Sequence, residues 1–210
     1  AERLVVKPHA VADPFPPGSA PAPAPDDPPR VLFLGRLGPE KGLHTLLAAW
    51  PAVHAACPNA ALRIVGDGPL REELARAAAD GSVMLAGPVP PEDVPGELAQ
   101  ASLLVLPSEC FETFGRSVVE AYASGRPVVV SRLGGPAELV SDGATGRLFA
   151  PGDPADLADK LTRLLNDPAD RARMGANARN VYLQRYTPDK GYEALMDCYA
   201  RAQASRTRAE

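Results

Sequence analysis

Five short apolar runs recur between Val31 and Ser131: VLFLG (31–35), ALRIVG (61–66), SVMLAG (82–87), SLLVLP (102–107) and PVVVS (127–131). Each ends at a glycine, a proline or a serine. Runs this short that are apolar throughout, and not at every second position, suit parallel strands buried on both faces. The intervening stretches carry apolar residues at helical spacing: 42–57, 69–79 with Pro69 near its first turn, a short one around 91–101, and 115–124 closing at Gly125. A sixth strand is expected over 146–150, after the Asp142-Gly143 turn, and the chain from an Asp153 cap onward reads as helical. Strands alternating with helices predict an α/β fold, a doubly wound, Rossmann-like parallel sheet. Such sheets take ligands at the carboxyl ends of their strands. The loops after Gly35, Gly66, Gly87, Pro107 and Ser131 should therefore share one rim.

The length of 210 residues suffices for one well-buried α/β core, and with only 5% aromatics that core must rest on Leu, Val and Ala. A net charge of −4 with scattered basic residues gives no stripe for nucleic acid. Cys57, Cys110 and Cys198 are odd in number and match neither a metal pattern nor a disulfide framework, which favours a reducing compartment. No apolar run approaches the roughly 20 residues of a membrane helix, and the N-terminus lacks a signal-peptide core. The chain reads as cytoplasmic, with any membrane association peripheral and supplied from elsewhere. Residues 13–29, DPFPPGSAPAPAPDDPP, are too proline-rich for helix or central strand and predict an extended tether, set apart from the body along with the apolar stretch 4–6. The expected organisation is a linker-like segment 1–29, a Rossmann-like domain 30–190 and a C-terminal helix 191–210.

Two motifs concentrate chemistry on the expected rim. GRLGPEKG (35–42) follows the first strand. Its glycines permit close backbone approach, while Arg36 and Lys41 bring two cations beside a helix start, a combination suited to a diphosphate. The same pattern also describes a plain turn flanked by solvated charges. ECFETFGRSVVEAYASGRPVVVS (109–131) places Glu112 before a helix start and Glu120 eight residues on, inside that helix. Carboxylates accept hydrogen bonds from paired hydroxyls of a sugar or ribose, and the amides of Phe114, Gly115 and Arg116 would face a phosphate or sugar oxygen. The alternative is an acidic helix start with one salt-bridge partner. GDGP (66–69) reads as a turn, and Gly134-Gly135 opens another rim loop before Glu138. No HxxxH, no metal-spaced cysteines and no DxD occur, so no metal and no cofactor is expected.

In order, GRLGPEKG, GDGP, LAGPVP, the E-x7-E of ETFGRSVVEAYASGRPVV, GGPAELVSDGATGRLFAPGD and a helical tail resemble the C-terminal domain of GT-B-fold glycosyltransferases of family 4, the group 1 glycosyl transferases. The resemblance runs from about Val31 to Asp189. It implies a retaining, metal-independent transfer of a hexosyl group from a nucleoside-diphosphate sugar. It also implies roles: Arg36 and Lys41, beside Gly35, on the donor diphosphate; Glu112 on the donor sugar; Glu120 on the nucleotide ribose; Gly87 to Val89 near the base. It implies an acceptor-binding domain as partner, absent from this chain, so the isolated chain is expected to be inactive. Residues 4–15 resemble the family's interdomain linker, with His9-Ala10 in place of its usual Asn-Gly. Arg116 stands where many relatives carry an aliphatic residue, either as a third cation near the phosphates or facing solvent. A non-catalytic nucleotide-sugar-binding module, a glycoside hydrolase using Glu112 and Glu120, and an epimerase are the alternatives.

Overall fold

A computed structural model describes residues 6–16, 19, 21–22, 28–78 and 81–207. The apolar runs become strands β1 (Arg30–Leu34), β2 (Ala61–Val65), β3 (Val83–Gly87), β4 (Leu103–Leu106) and β5 (Val128–Ser131), joined by β6 (Gly146–Phe149). All neighbours pair in parallel, in the order β3-β2-β1-β4-β5-β6. The central strands β1, β4 and β5 are buried on both faces along most of their length, which is why they are so apolar, whereas β2 carries the partly buried Arg63 and the edge strand β3 is partly exposed. Val31, Phe33, Leu103 and Val105 face one core, with Leu46 and Trp50 of α1 (Leu43–Ala56) and Leu157 and Leu161 of α6 (Pro154–Asn166). Leu32, Leu104, Leu106 and Val130 face the other, with Val119 and Tyr122 of α4 (Arg116–Ala123) and Ala178 and Tyr182 of α7 (Pro168–Arg185). Each fully buried Leu or Val contributes about 1.5–3 kcal/mol of transfer free energy, so the two layers carry most of the fold's stability.

The shorter elements depart from the sequence expectation at their edges. The helix expected from Pro69 is α2 (Arg71–Ala77), with Pro69 two residues ahead of it; Ala79 lies outside the described residues. The 91–101 stretch divides into a tight turn, Pro91–Asp93, and α3 (Val94–Ala99). The Gly134-Gly135 loop is itself the first turn of α5 (Gly134–Leu139). Asp153 caps α6 as expected, accepting from the amides of Ala155 at 2.9 Å and Asp156 at 3.0 Å. The helical tail breaks at Pro168 and Pro188 to give α6, α7 and α8 (Pro188–Thr207), each proline taking the first position of a helix, where its missing amide costs least.

The described residues of the proline-rich segment lie against the domain. The Val11 amide donates to the Tyr186 carbonyl at 2.9 Å, and the Tyr182 hydroxyl donates to the Val11 carbonyl at 2.9 Å. Arg179 grips both carboxylate oxygens of Asp13, at 2.9 and 2.7 Å, and lies 5.5 Å from the centre of the Phe15 ring. Buried Arg126 donates to the carbonyls of Leu98, Ala99 and Ala22, closing the end of α3 and holding the segment at once. Burial pulls its pKa down to about 10, which still leaves it charged at neutral pH. Leu4 and Val5 of the expected apolar stretch lie outside the described residues.

Candidate functional site

The strand order reverses direction between β1 and β4, and a doubly wound sheet opens a crevice at that switch point. The loops leaving these two strands are the two that carry the charged motifs. They are stitched together at the rim. The Glu109 amide donates to the Glu40 carbonyl at 2.9 Å, and Thr45 donates to the Glu109 carboxylate at 2.5 Å. Gly42 adopts φ 67°, and a Cβ there would lie 1.9 Å from the Pro107 carbonyl oxygen. Only a residue without a side chain lets the two loops approach this closely.

The crevice holds a cavity of about 280 Å³ lined by Gly35, Lys41, Glu112, Arg116, Ser117 and Glu120, with Leu34 and Leu106 at its floor. Three rim cations each meet a carboxylate. Lys41 Nζ lies 3.0 Å from Glu112 Oε1, Arg116 Nε lies 2.8 Å from Glu120 Oε1, and Arg36 pairs with Glu40. Gly115, at φ 88°, turns the chain into α4, so that Glu112 on the loop and Glu120 one helix turn inside α4 enter one cavity. A helix start leaves its first amides without intrahelical partners, and α4 starts at Arg116, which lines this cavity. A second hollow adjoins this one and shares Leu34 and Gly35 with it; Arg36, Asp67, Pro88 and Val89 line it. Gly87 ends β3 directly beside it.

Of the residues singled out in the sequence, Gly35, Lys41, Glu112, Arg116 and Glu120 therefore converge, and Arg36 and Val89 sit next door. Phe114 is singled out for its amide, and its ring lies elsewhere. It turns to the far side of its loop, stacked edge-on against His9 at 5.1 Å and Tyr186 at 6.2 Å. Sequence reading missed the groups behind Glu112. Ser108, 2% exposed, donates to Glu112 Oε1, and Ser131, 1% exposed, donates to the Ser108 carbonyl at 2.5 Å. Their signal was present: a serine at the carboxyl end of a buried parallel strand stands on the ligand rim. Among the described residues, no group of three or more His, Cys, Asp or Glu side chains converges as a metal site would. No described helix is long and apolar enough to cross a membrane.

A doubly wound sheet with a cationic, carboxylate-lined crevice at its switch point is the architecture of the Rossmann-like domains in GT-B glycosyltransferases. Residues 28–167 match the family described as Glycosyl transferases group 1, and the chain belongs to it. It is similar to Sulfoquinovosyl transferase SQD2 of Arabidopsis thaliana, 36% identical over 72% of this chain and 29% of that protein. It is similar to the Glycogen synthase of Mycobacterium tuberculosis, 35% identical over 87% of this chain and 44% of that protein. The Sucrose-phosphate synthase of Thermosynechococcus elongatus superposes with a TM-score of 0.80 at 27% identity, covering 95% of this chain and 52% of that one. Anabaena Alr3699/HepE in complex with UDP gives a TM-score of 0.73 at 28% identity, covering 82% and 48%. The chain thus spans less than half the length of the curated relatives it matches.

Proposed function

We propose that this chain is the donor-binding part of a retaining, metal-independent glycosyltransferase. It would hold a nucleoside-diphosphate sugar while a hexosyl group passes to an acceptor bound by a separate domain. The observation that carries the reading is the single cavity in which Lys41, Arg116, Glu112 and Glu120 meet over Gly35, at the strand-order switch. A diphosphate entering it exchanges the intramolecular partners of Lys41 and Arg116 for phosphate oxygens, while the bare backbone at Gly35 and the α4 amides supply neutral donors. Glu112, released by Lys41, accepts from a hydroxyl of the sugar, and Glu120, released by Arg116, accepts from the ribose. The base takes the adjoining hollow beside Val89.

In the transfer itself the departing nucleoside diphosphate gains negative charge. On this reading Lys41, Arg36 and Arg116 would stabilise that charge, the role a metal ion would otherwise play. Loss of one such contact costs on the order of 3 kcal/mol in the barrier. The UDP bound to the Anabaena relative makes uridine the first base to test.

The test is thermal unfolding against uridine, guanosine and adenosine diphosphates and their sugar conjugates. A ligand at 100 times its Kd stabilises by about 2.7 kcal/mol, or roughly 5–11 °C for a domain of this size. Lys41→Ala should weaken the diphosphate more than the bare nucleoside, whereas Glu120→Ala should weaken both alike. Absence of any shift across the panel, or equal losses for nucleoside and diphosphate in Lys41→Ala, would overturn the assignment.

A further inference from the structure

Glu112 is held more firmly than a surface carboxylate needs to be. Its main-chain carbonyl accepts from the Gly135 amide at 2.8 Å, which ties it to α5. Its side chain is 16% exposed, and a single oxygen, Oε1, takes both the Lys41 ammonium at 3.0 Å and the Ser108 hydroxyl. The Ser108 main chain is fixed in turn by the Ser131 hydroxyl. No described residue hydrogen-bonds Oε2. A carboxylate offers about four acceptor sites, and here the contacts load one oxygen and leave Oε2 without a described partner, on a residue that lines the cavity.

We propose that Ser108, backed by Ser131, is a positioning residue that aims Glu112 Oε2 at a hydroxyl of the donor sugar. This rests on the nucleotide-sugar reading above. The need for it follows from the exchange of partners that donor binding entails. When Lys41 turns to the diphosphate, Glu112 loses the cation on Oε1. The buried serine is the side-chain contact that stays. It is neutral and does not compete for phosphate, so it holds the carboxylate's rotamer in the loaded state. Without it, Glu112 would have to order itself anew around each incoming sugar.

Isothermal titration of the 210-residue chain with UDP and with UDP-glucose tests this. GDP and GDP-mannose replace them where the unfolding series selects guanosine. Ser108→Ala should raise the Kd of the sugar conjugate about tenfold, at the lower end of what a hydrogen bond to a charged group contributes, while the Kd of the free diphosphate stays within about twofold. Ser131→Ala should shift the same ratio in the same direction by less, and it decides the matter if Ser108→Ala fails to fold. A role limited to satisfying a buried carboxylate would lower the unfolding midpoint and leave the ratio of the two constants unchanged. An unchanged ratio alongside normal wild-type binding would overturn the role of Ser108 alone. A wild-type chain that binds neither ligand of the pair would overturn the nucleotide-sugar reading, and this inference with it.

Discussion

Gly42→Ala is the sharpest test of how the crevice is built. Alanine at φ 67° incurs the left-handed penalty of about 1–2 kcal/mol. Its Cβ would lie 1.9 Å from the Pro107 carbonyl oxygen and 2.7 Å from the carbonyl carbon, both backbone atoms that cannot swing aside. Forcing the loops apart adds an overpacking cost of about 1–3 kcal/mol. The combined loss is about 3 kcal/mol, or roughly 6–12 °C in the midpoint. Gly81→Ala is the matched control, because Gly81 has φ 79° and nothing within 4 Å of the added methyl. It should lose only the conformational part, about 1 kcal/mol. Urea unfolding of both variants isolates the contact between loops as their difference. The damage should also be local to function. The displaced loop carries Lys41 away from Glu112, so Gly42→Ala should weaken diphosphate binding and Gly81→Ala should not. Equal destabilisation of the two variants would refute the close approach as the element that sets the crevice.

Other consequences follow from the ion pairs. Arg179→Ala removes the grip on Asp13 and the donor to the Ala123 carbonyl; it should cost about 2 kcal/mol and speed proteolytic nicking within residues 13–29, and an unchanged nicking rate would contradict the docking of that segment. The Arg63 guanidinium holds the Glu97 carboxyl below its usual 4.5. That pair stabilises the fold above pH 4.5 and the contribution fades as the pH falls through the depressed value. Glu97→Gln should therefore flatten the fall of the midpoint as the pH drops below 4.5, and a slope equal to wild type would show that the pair contributes nothing. Arg126→Leu strips donors from the carbonyls of Leu98 and Ala99; a loss of about 2–4 kcal/mol is expected, and a variant as stable as wild type in urea would show that these carbonyls find water instead.

The sheet was legible because its physics is local. A strand covered on both faces is apolar nearly throughout, and VLFLG and PVVVS announce that without reference to anything distant. The rim was legible for the same reason, since glycine and charge directly after such a run can only sit at a strand's carboxyl end. What escaped was anything decided by a partner far along the chain. Ser108 and Ser131 look like ordinary loop serines until β4 and β5 lie side by side. Phe114 belongs to a motif that reads as one unit, yet its ring is claimed by His9 and Tyr186, more than 70 residues away in the second case. Proline density in 13–29 spoke for extended backbone and carried no information about the arginines of α7 and the α4–β5 turn that receive it.

The pairing of Arg36, Lys41 and Arg116 with three carboxylates has a kinetic meaning. Opposed charges a few ångströms apart cancel at a distance, and salt screens the remainder beyond about 8 Å at physiological ionic strength. On the donor-binding reading, an anion approaching the crevice would feel little pull until it is nearly in contact, and a net charge of −4 gives it no long-range attraction. Encounter on that reading would be unsteered and nearly indifferent to salt. Lys41 and Arg116 would become available to a ligand that breaks their pairs at close range. If the donor-binding reading holds, discrimination among phosphorylated ligands would fall on how long each one stays.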